Sequence, residues 1–129
     1  MITCDADGRL TYVNSHAREL LGGSCPALGT YPDKWLRDLR PRTASGIAMA
    51  LEDLPPLRAL QGEIVTGVDV LVSVPAGEVL LETAARPASD PRGRTRGAVV
   101  TLADVTRRRL QEGKMREPGW APWKDERSS

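Results

Sequence analysis

The residues able to do chemistry are few and scattered. His16 is the only histidine in the chain. A nucleophile needs a base and an orienting group beside it, and no serine or aspartate stands in a pattern that would give His16 such partners. Carboxylates fall in two local pairs, Asp5 with Asp7 and Glu52 with Asp53. A tight turn and a helix start account for both without catalysis. Gly8, Gly22-Gly23 and Gly93 do not form a phosphate-cradling loop. Cys4 and Cys25 lack C-x-x-C spacing and have no further ligand types grouped with them, so no metal site is expected. Cys4 sits in an apolar run as core or cavity wall, and Cys25, between Ser24 and Pro26, reads as a buried or loop thiol. No catalytic residue is expected, and the chain reads as a non-enzyme. One polar constellation stands out. Asp104-Val105-Thr106 ends the last apolar run, where the Asp104 carboxylate can pin the strand end to the outgoing chain or cap a helix starting near Thr106.

The elements that must position these residues follow from periodicity. Ile2-Thr3-Cys4 and Leu10 to Val13 flank Asp5-Ala6-Asp7-Gly8-Arg9, which predicts a hairpin. Asn14 or Ser15 can cap a helix carrying Ala17, Leu20 and Leu21, stopped by Gly22-Gly23. Prolines at 26, 32, 41, 55 and 56 cut the next stretch into short pieces. Asp33 can cap a helix bearing Trp35, Leu36 and Leu39, and another is expected from about Leu54 to Leu60. Thr43 to Leu51 carries mixed signals and is left unassigned. From Glu63 on the period changes to two. Val68, Val70, Val72 and Val74 form one apolar face, a return strand holds Val79, Leu81, Thr83 and Ala85, and a polar loop leads to a third strand over Gly97 to Val105. Three successive antiparallel strands make a meander.

Composition bounds the function. The chain has 129 residues, enough for one domain. Its net charge of +1 gives no electrostatic case for a nucleic-acid partner. The start lacks the basic and apolar pattern of a secretory leader, and no stretch nears the roughly 18 apolar residues that would span a bilayer. A cytoplasmic location with no membrane partner is therefore expected. Arginine outnumbers lysine and alanine is abundant, a composition that points to a GC-rich bacterial genome.

Two strands, several short helices and a meander give an α+β fold: a five-stranded antiparallel sheet with short helices packed on one face. In that order the sequence resembles the PAS family over residues 1–106. The likeness is carried by Asp5 through Asn14, by Glu52-Asp53-Leu54-Pro55 with Arg58 through Glu63, and by Gly93-Arg94 through Gly97-Ala98-Val99-Val100 to Asp104-Val105-Thr106. Residues 107–129, opening on Arg107-Arg108-Arg109, read as a polar linker and partly disordered tail, with Trp120 and Trp123 as docking points.

The resemblance implies a bacterial signal-transduction module that houses a small ligand, pairs as a homodimer or with an effector protein, and relays a change through its last strand. Asp104, Val105 and Thr106 would be the coupling residues. The pocket candidates are Tyr12, Trp35, Leu36, Val70, Val72, Leu81, Val100 and Leu102, with Tyr12 and Trp35 favoured for their polar handles. No cofactor is expected. Haem ligation in such domains uses a later helix than the one bearing His16, and Ser24-Cys25-Pro26-Ala27 does not match the cysteine run of flavin light sensors. Two alternatives stay open: a ligand-free dimerisation or scaffold domain and, less favoured, a small enzyme on this fold.

Overall fold

Two hairpins close on the same five-residue pattern, Asp-x-x-Gly-Arg. In the first, Asp5 Oδ1 accepts from the backbone N–H groups of Asp7 and Arg9, both at 2.9 Å, while Arg9 Nε meets Asp5 Oδ2 at 3.0 Å. In the second, Asp90 Oδ1 accepts from the N–H groups of Arg92 and Arg94 at 2.9 Å, and Arg96 Nε reaches Oδ2 at 3.0 Å. Gly8 and Gly93 take φ values of 84° and 81°, a region open to glycine because it has no Cβ. The Arg94 and Arg92 N–H groups and the Arg96 guanidinium hold the Asp90 carboxyl below the usual carboxylate range.

The computed structural model describes residues 1–111. Beyond residue 111 the expected tail, with Trp120 and Trp123, lies outside the described residues. Strands β1 (Ile2–Asp5) and β2 (Leu10–Val13) are followed by helix α1 (Ser15–Leu21), α2 (Pro32–Trp35) and α3 (Pro55–Leu60). Strands β3 (Val65–Val74), β4 (Gly77–Ser89) and β5 (Thr95–Asp104) follow, then helix α4 (Thr106–Gln111). The strands form one antiparallel sheet in the order β2-β1-β5-β4-β3. The expected architecture is present, a five-stranded antiparallel sheet with α1, α2 and α3 supplying the helical cover.

The helix starts follow from their residues, except that Asp33, expected as the cap of α2, lies inside its first turn behind Pro32. The Asn14 side chain accepts from the Ala17 N–H at 2.9 Å and caps α1. Proline opens both α2 and α3, where a missing N–H costs nothing. The expected short helix through Leu39 divides into α2 and a 3-10 turn at Arg37–Leu39. The unassigned stretch proves to be a strap. Arg42 pairs with Ala48 and, across the free edge of β3, with Leu71, exchanging backbone bonds of 2.9 and 2.8 Å.

The meander strands run longer than their apolar cores suggest. β3 begins at Val65, with an irregularity before Val68 where Gly67 lies, and β4 continues through Pro87 to Ser89. β1 and β5 approach closely at Gly97, where an added Cβ would sit 2.1 Å from the Cys4 carbonyl oxygen.

Burial divides the sheet. The inner face and helices share one cluster that includes Ile2, Leu10, Leu21, Trp35, Leu54, Val70, Leu81 and Val100. On the other face, Leu71, Leu80 and Val105 form a second cluster, with Ala44 and Leu110 packed against it.

Candidate functional site

Between the inner sheet face and the helices lies a cavity of about 40 Å3. Ile2, Val70, Thr83, Val100 and Leu102 supply its floor from four strands. Trp35, Leu36, Leu39 and Pro41 close one side, and Leu54, Pro55 and Pro56 at the start of α3 close the other. Apart from the Thr83 hydroxyl these side chains are hydrocarbon or aromatic, and no charged group is among them.

The structure gathers Trp35, Leu36, Val70, Val100 and Leu102 around this cavity. Val72 and Leu81 are buried in the same cluster but do not line it. Tyr12 lies elsewhere, 47% exposed. The register shifts between Thr3 and Cys4, so Leu10 and Val13 rather than Leu10 and Tyr12 turn inward. Trp35 has its polar handle engaged, since Nε1 donates to the Gly8 carbonyl at 3.1 Å in a buried bond. That bond ties the cavity wall to the first hairpin. An added Cβ on Gly8 would meet Pro32 Cγ at 2.6 Å, so glycine is required there on steric as well as conformational grounds.

The remaining chemical candidates are set apart. His16 is exposed on α1. Cys4 is buried in the core, and desolvation pushes its thiol pKa up, which keeps it neutral and unreactive. Cys25 is half-buried, its Sγ 3.8 Å from the Pro26 carbonyl. Among the described residues no group of three or more His, Cys, Asp or Glu is placed to hold a metal ion. Among them, too, no helix is long and apolar enough to cross a membrane.

The end of β5 is built more tightly than spacing alone could reveal. Asp104 Oδ1 accepts from the Thr106 N–H at 3.0 Å and from Thr106 Oγ1 at 2.7 Å. The same Thr106 hydroxyl accepts from the Leu80 N–H at 2.9 Å, and the Val105 N–H donates to the Leu80 carbonyl at 3.0 Å. Both backbone groups of Leu80 on β4 therefore engage the junction. Val105 is buried against Leu71 and Leu80, which turns the outgoing chain back over the outer face.

Two arginines then clamp that face. Asp69 and Glu82 stand opposite each other on β3 and β4, a like-charge pair that would be unfavourable by itself. Arg109 of α4 lies between them, Nε at 2.8 Å from Asp69 Oδ2 and Nη2 at 2.7 Å from Glu82 Oε2. Its side chain is only 14% exposed, so Arg109 departs from the solvated linker expected of Arg107-Arg108-Arg109. About 13 Å further along the strands, Arg42 of the strap hydrogen-bonds Ser73 Oγ at 2.7 Å and pairs with Glu78. Ser73 and Glu78 also oppose each other across β3 and β4. Because Arg42 follows Pro41 of the cavity wall, the strap joins the cavity to the outer face around the β3 edge. Sequence reasoning missed both clamps. The available signal was the run of outward carboxylates at Asp69, Glu78 and Glu82 on otherwise apolar strands, which demands cations from elsewhere.

A half-roofed antiparallel sheet with an apolar cavity and a hydrogen-bonded exit defines a sensor-type α+β domain. The family model for the PAS fold matches residues 1–110, and the chain belongs to that family. No curated protein matches the chain in sequence. Among solved structures it is similar to VqmA of Vibrio cholera in its complex with ligand and DNA, at 14% identity and a TM-score of 0.44. That match covers 93% of this chain and 55% of the VqmA chain, so the chain spans little more than half of that relative.

Proposed function

We propose that this PAS domain is a sensory module of bacterial signal transduction that holds a small ligand in the inner cavity and relays its presence through the end of β5. One observation carries this reading: the strand that gives Val100 and Leu102 to the cavity wall ends two residues later in the Asp104-Thr106-Leu80 junction. A ligand that displaces Leu102 moves the strand whose end fixes α4. In this scheme Asp104, Val105 and Thr106 are the coupling residues, and α4, held by Arg109, is the element released or retained. The partner that reads the change is a second copy of the chain or an effector protein in the cytoplasm. Small packed cores are bistable rather than continuously deformable, which lets a local wall movement become a change of docking.

The test is a double substitution, Asp104→Ala with Thr106→Val, in the full-length host protein. Signalling output is expected to lose its dependence on stimulus while the domain stays folded. Unchanged stimulus dependence would remove the coupling role.

A ligand-free dimerisation or scaffold domain is the second reading, and the small cavity volume favours it. It predicts a melting temperature unmoved by any member of a metabolite panel and a dimer that persists without stimulus.

A further inference from the structure

The outer face of the sheet has a bare half. Thr3, Val99 and Ala84 alternate along their strands with the buried Ile2, Val100 and Ala85, so they point away from the helices. Register sets Tyr12, Thr3, Val99 and Arg86 in one row across β2, β1, β5 and β4. Thr101 opposes Ala84 in the next row. One row further Glu82 meets Arg109, and there the cover supplied by α4 begins. Tyr12, Arg86 and Thr101 are exposed, while Thr3, Val99 and Ala84 are half-buried. Small uncharged side chains thus fill the middle, between a tyrosine and an arginine. That is a shallow seat for a bulky ring.

We infer that the tail of this same chain covers the bare half, with Trp120 and Trp123 seated on Val99, Thr101 and Ala84. No ligand is needed for this contact. Arg109 fixes α4 above Asp69 on β3 and Glu82 on β4, which sets the point from which the tail departs. From β3 to β1 is three strand spacings, about 14 Å. Trp120 follows Gln111 by nine residues, a length that reaches about 30 Å extended and averages about 16 Å as a coil. A tether matched to its span gives the highest effective concentration. Composition agrees with reach. Two of the chain's three tryptophans lie in residues 112–129, where four cations and four anions balance, so charge does not oppose an uncharged seat. Pro118 and Pro122 flank Trp120 and restrict the backbone there, which lowers the cost of ordering it. The Arg86 guanidinium can lie over an indole ring. A second copy of the chain would have to meet the loss of translation and rotation that the tether removes. Seated there, the tail withholds the bare face from protein partners.

Methyl-to-indole NOEs measured by NMR in the full chain test the contact. The Trp35 indole N–H, bonded to the Gly8 carbonyl, reports that the domain is folded. The parent is expected to show NOEs from the Trp120 and Trp123 rings to the methyls of Val99, Thr101 and Ala84, unchanged on dilution. Thr101→Glu sets a charge at an exposed position in the middle of the seat. It is expected to abolish those NOEs while the Trp35 signal stays in place, whereas Thr101→Ser is expected to keep the ring contacts to Val99 and Ala84. The double variant Trp120→Ser with Trp123→Ser is expected to shift the amide signals of Val99, Thr101 and Ala84. Absence of the NOEs in a folded parent, or their survival in Thr101→Glu, would overturn the inference. NOEs that vanish on dilution, or that join differently labelled copies, would also overturn it and assign the face to a second copy.

Discussion

The two faces of the sheet solve the same burial problem by different means. The inner face is covered by α1, α2 and α3 through hydrocarbon contact, and its cluster runs from Ile2 on β1 to Leu81 on β4. The outer face of β3 and β4 is covered by one short helix and a strap, and among the described residues its buried cluster consists of Leu71, Leu80 and Val105. So thin a cover cannot rest on apolar area alone, and charged clamps hold it instead: Arg109 on Asp69 and Glu82, Arg42 on Glu78 and Ser73. Hydrophobic burial is insensitive to salt and hard to undo locally. Ion pairs near the surface are weaker, screened and directional. One face is therefore held by contacts that salt leaves alone, and the other by contacts that salt can weaken.

The largest expected effect falls on the inner face. Leu54→Ala, at a residue 2% exposed in the cavity wall, is expected to destabilise the domain by about 3 kcal/mol. Leu80→Ala, at a fully buried outer residue, is expected to cost about 2 kcal/mol because its thin cover collapses more readily. Hydrogen exchange distinguishes the two. Leu54→Ala should lower protection across the whole sheet, whereas Leu80→Ala should deprotect α4 first. Equal loss at α4 and β1 in both variants would show that the faces do not differ in cooperativity.

A smaller effect sharpens the electrostatic half of the contrast. Arg109→Met leaves Asp69 and Glu82 facing each other and is expected to cost about 1–2 kcal/mol at low salt, since hydrogen bonds to charged groups are the stronger kind. That difference from the parent should shrink in part near 1 M salt, because the carboxylates are partly exposed while the Arg109 side chain is only 14% exposed and screened less. A difference wholly independent of salt would mean that Arg109 acts through its short directed hydrogen bonds and not through longer-range charge.

The smallest effect lies at a hairpin that touches neither cluster. The Asp90 carboxyl is held below its ordinary value by the Arg94 and Arg92 N–H groups and Arg96, so in mild acid the folded chain binds fewer protons there than the unfolded chain. Its contribution is present above the unfolded value of about 3.9 and is lost as pH falls through the lower folded value. The stability advantage of the parent over Asp90→Asn, read from urea midpoints, should therefore be constant near neutrality and decline below about pH 4. An advantage that grows on acidification would contradict the turn assignment.

Much of the architecture was legible in local residues because local physics fixes it. Asp-x-x-Gly-Arg closes both hairpins in which it occurs here, Asn14 caps the helix it precedes, and the alternating valines of β3 share one face. Asp104 and Thr106 bond for a similar reason, since an aspartate two residues before a threonine can reach both its N–H and its hydroxyl. The cavity was half legible. Apolar periodicity picked out Trp35, Leu36, Val70, Val100 and Leu102, but a bulge no pattern announces turned Tyr12 outward, and the prolines of α3 took its place in the wall.

The chain by itself determined where strands, turns and caps form, since those depend on neighbours within a few residues. Only the tertiary structure decided which distant charges meet. Arg109 lies 40 residues from Asp69 and 27 from Glu82 along the chain, and Arg42 lies 36 from Glu78. Nothing in their spacing distinguishes them from the exposed arginines around them. Sheet register sets carboxylates opposite one another, and the direction in which a strap or helix leaves its strand determines which cation arrives between them.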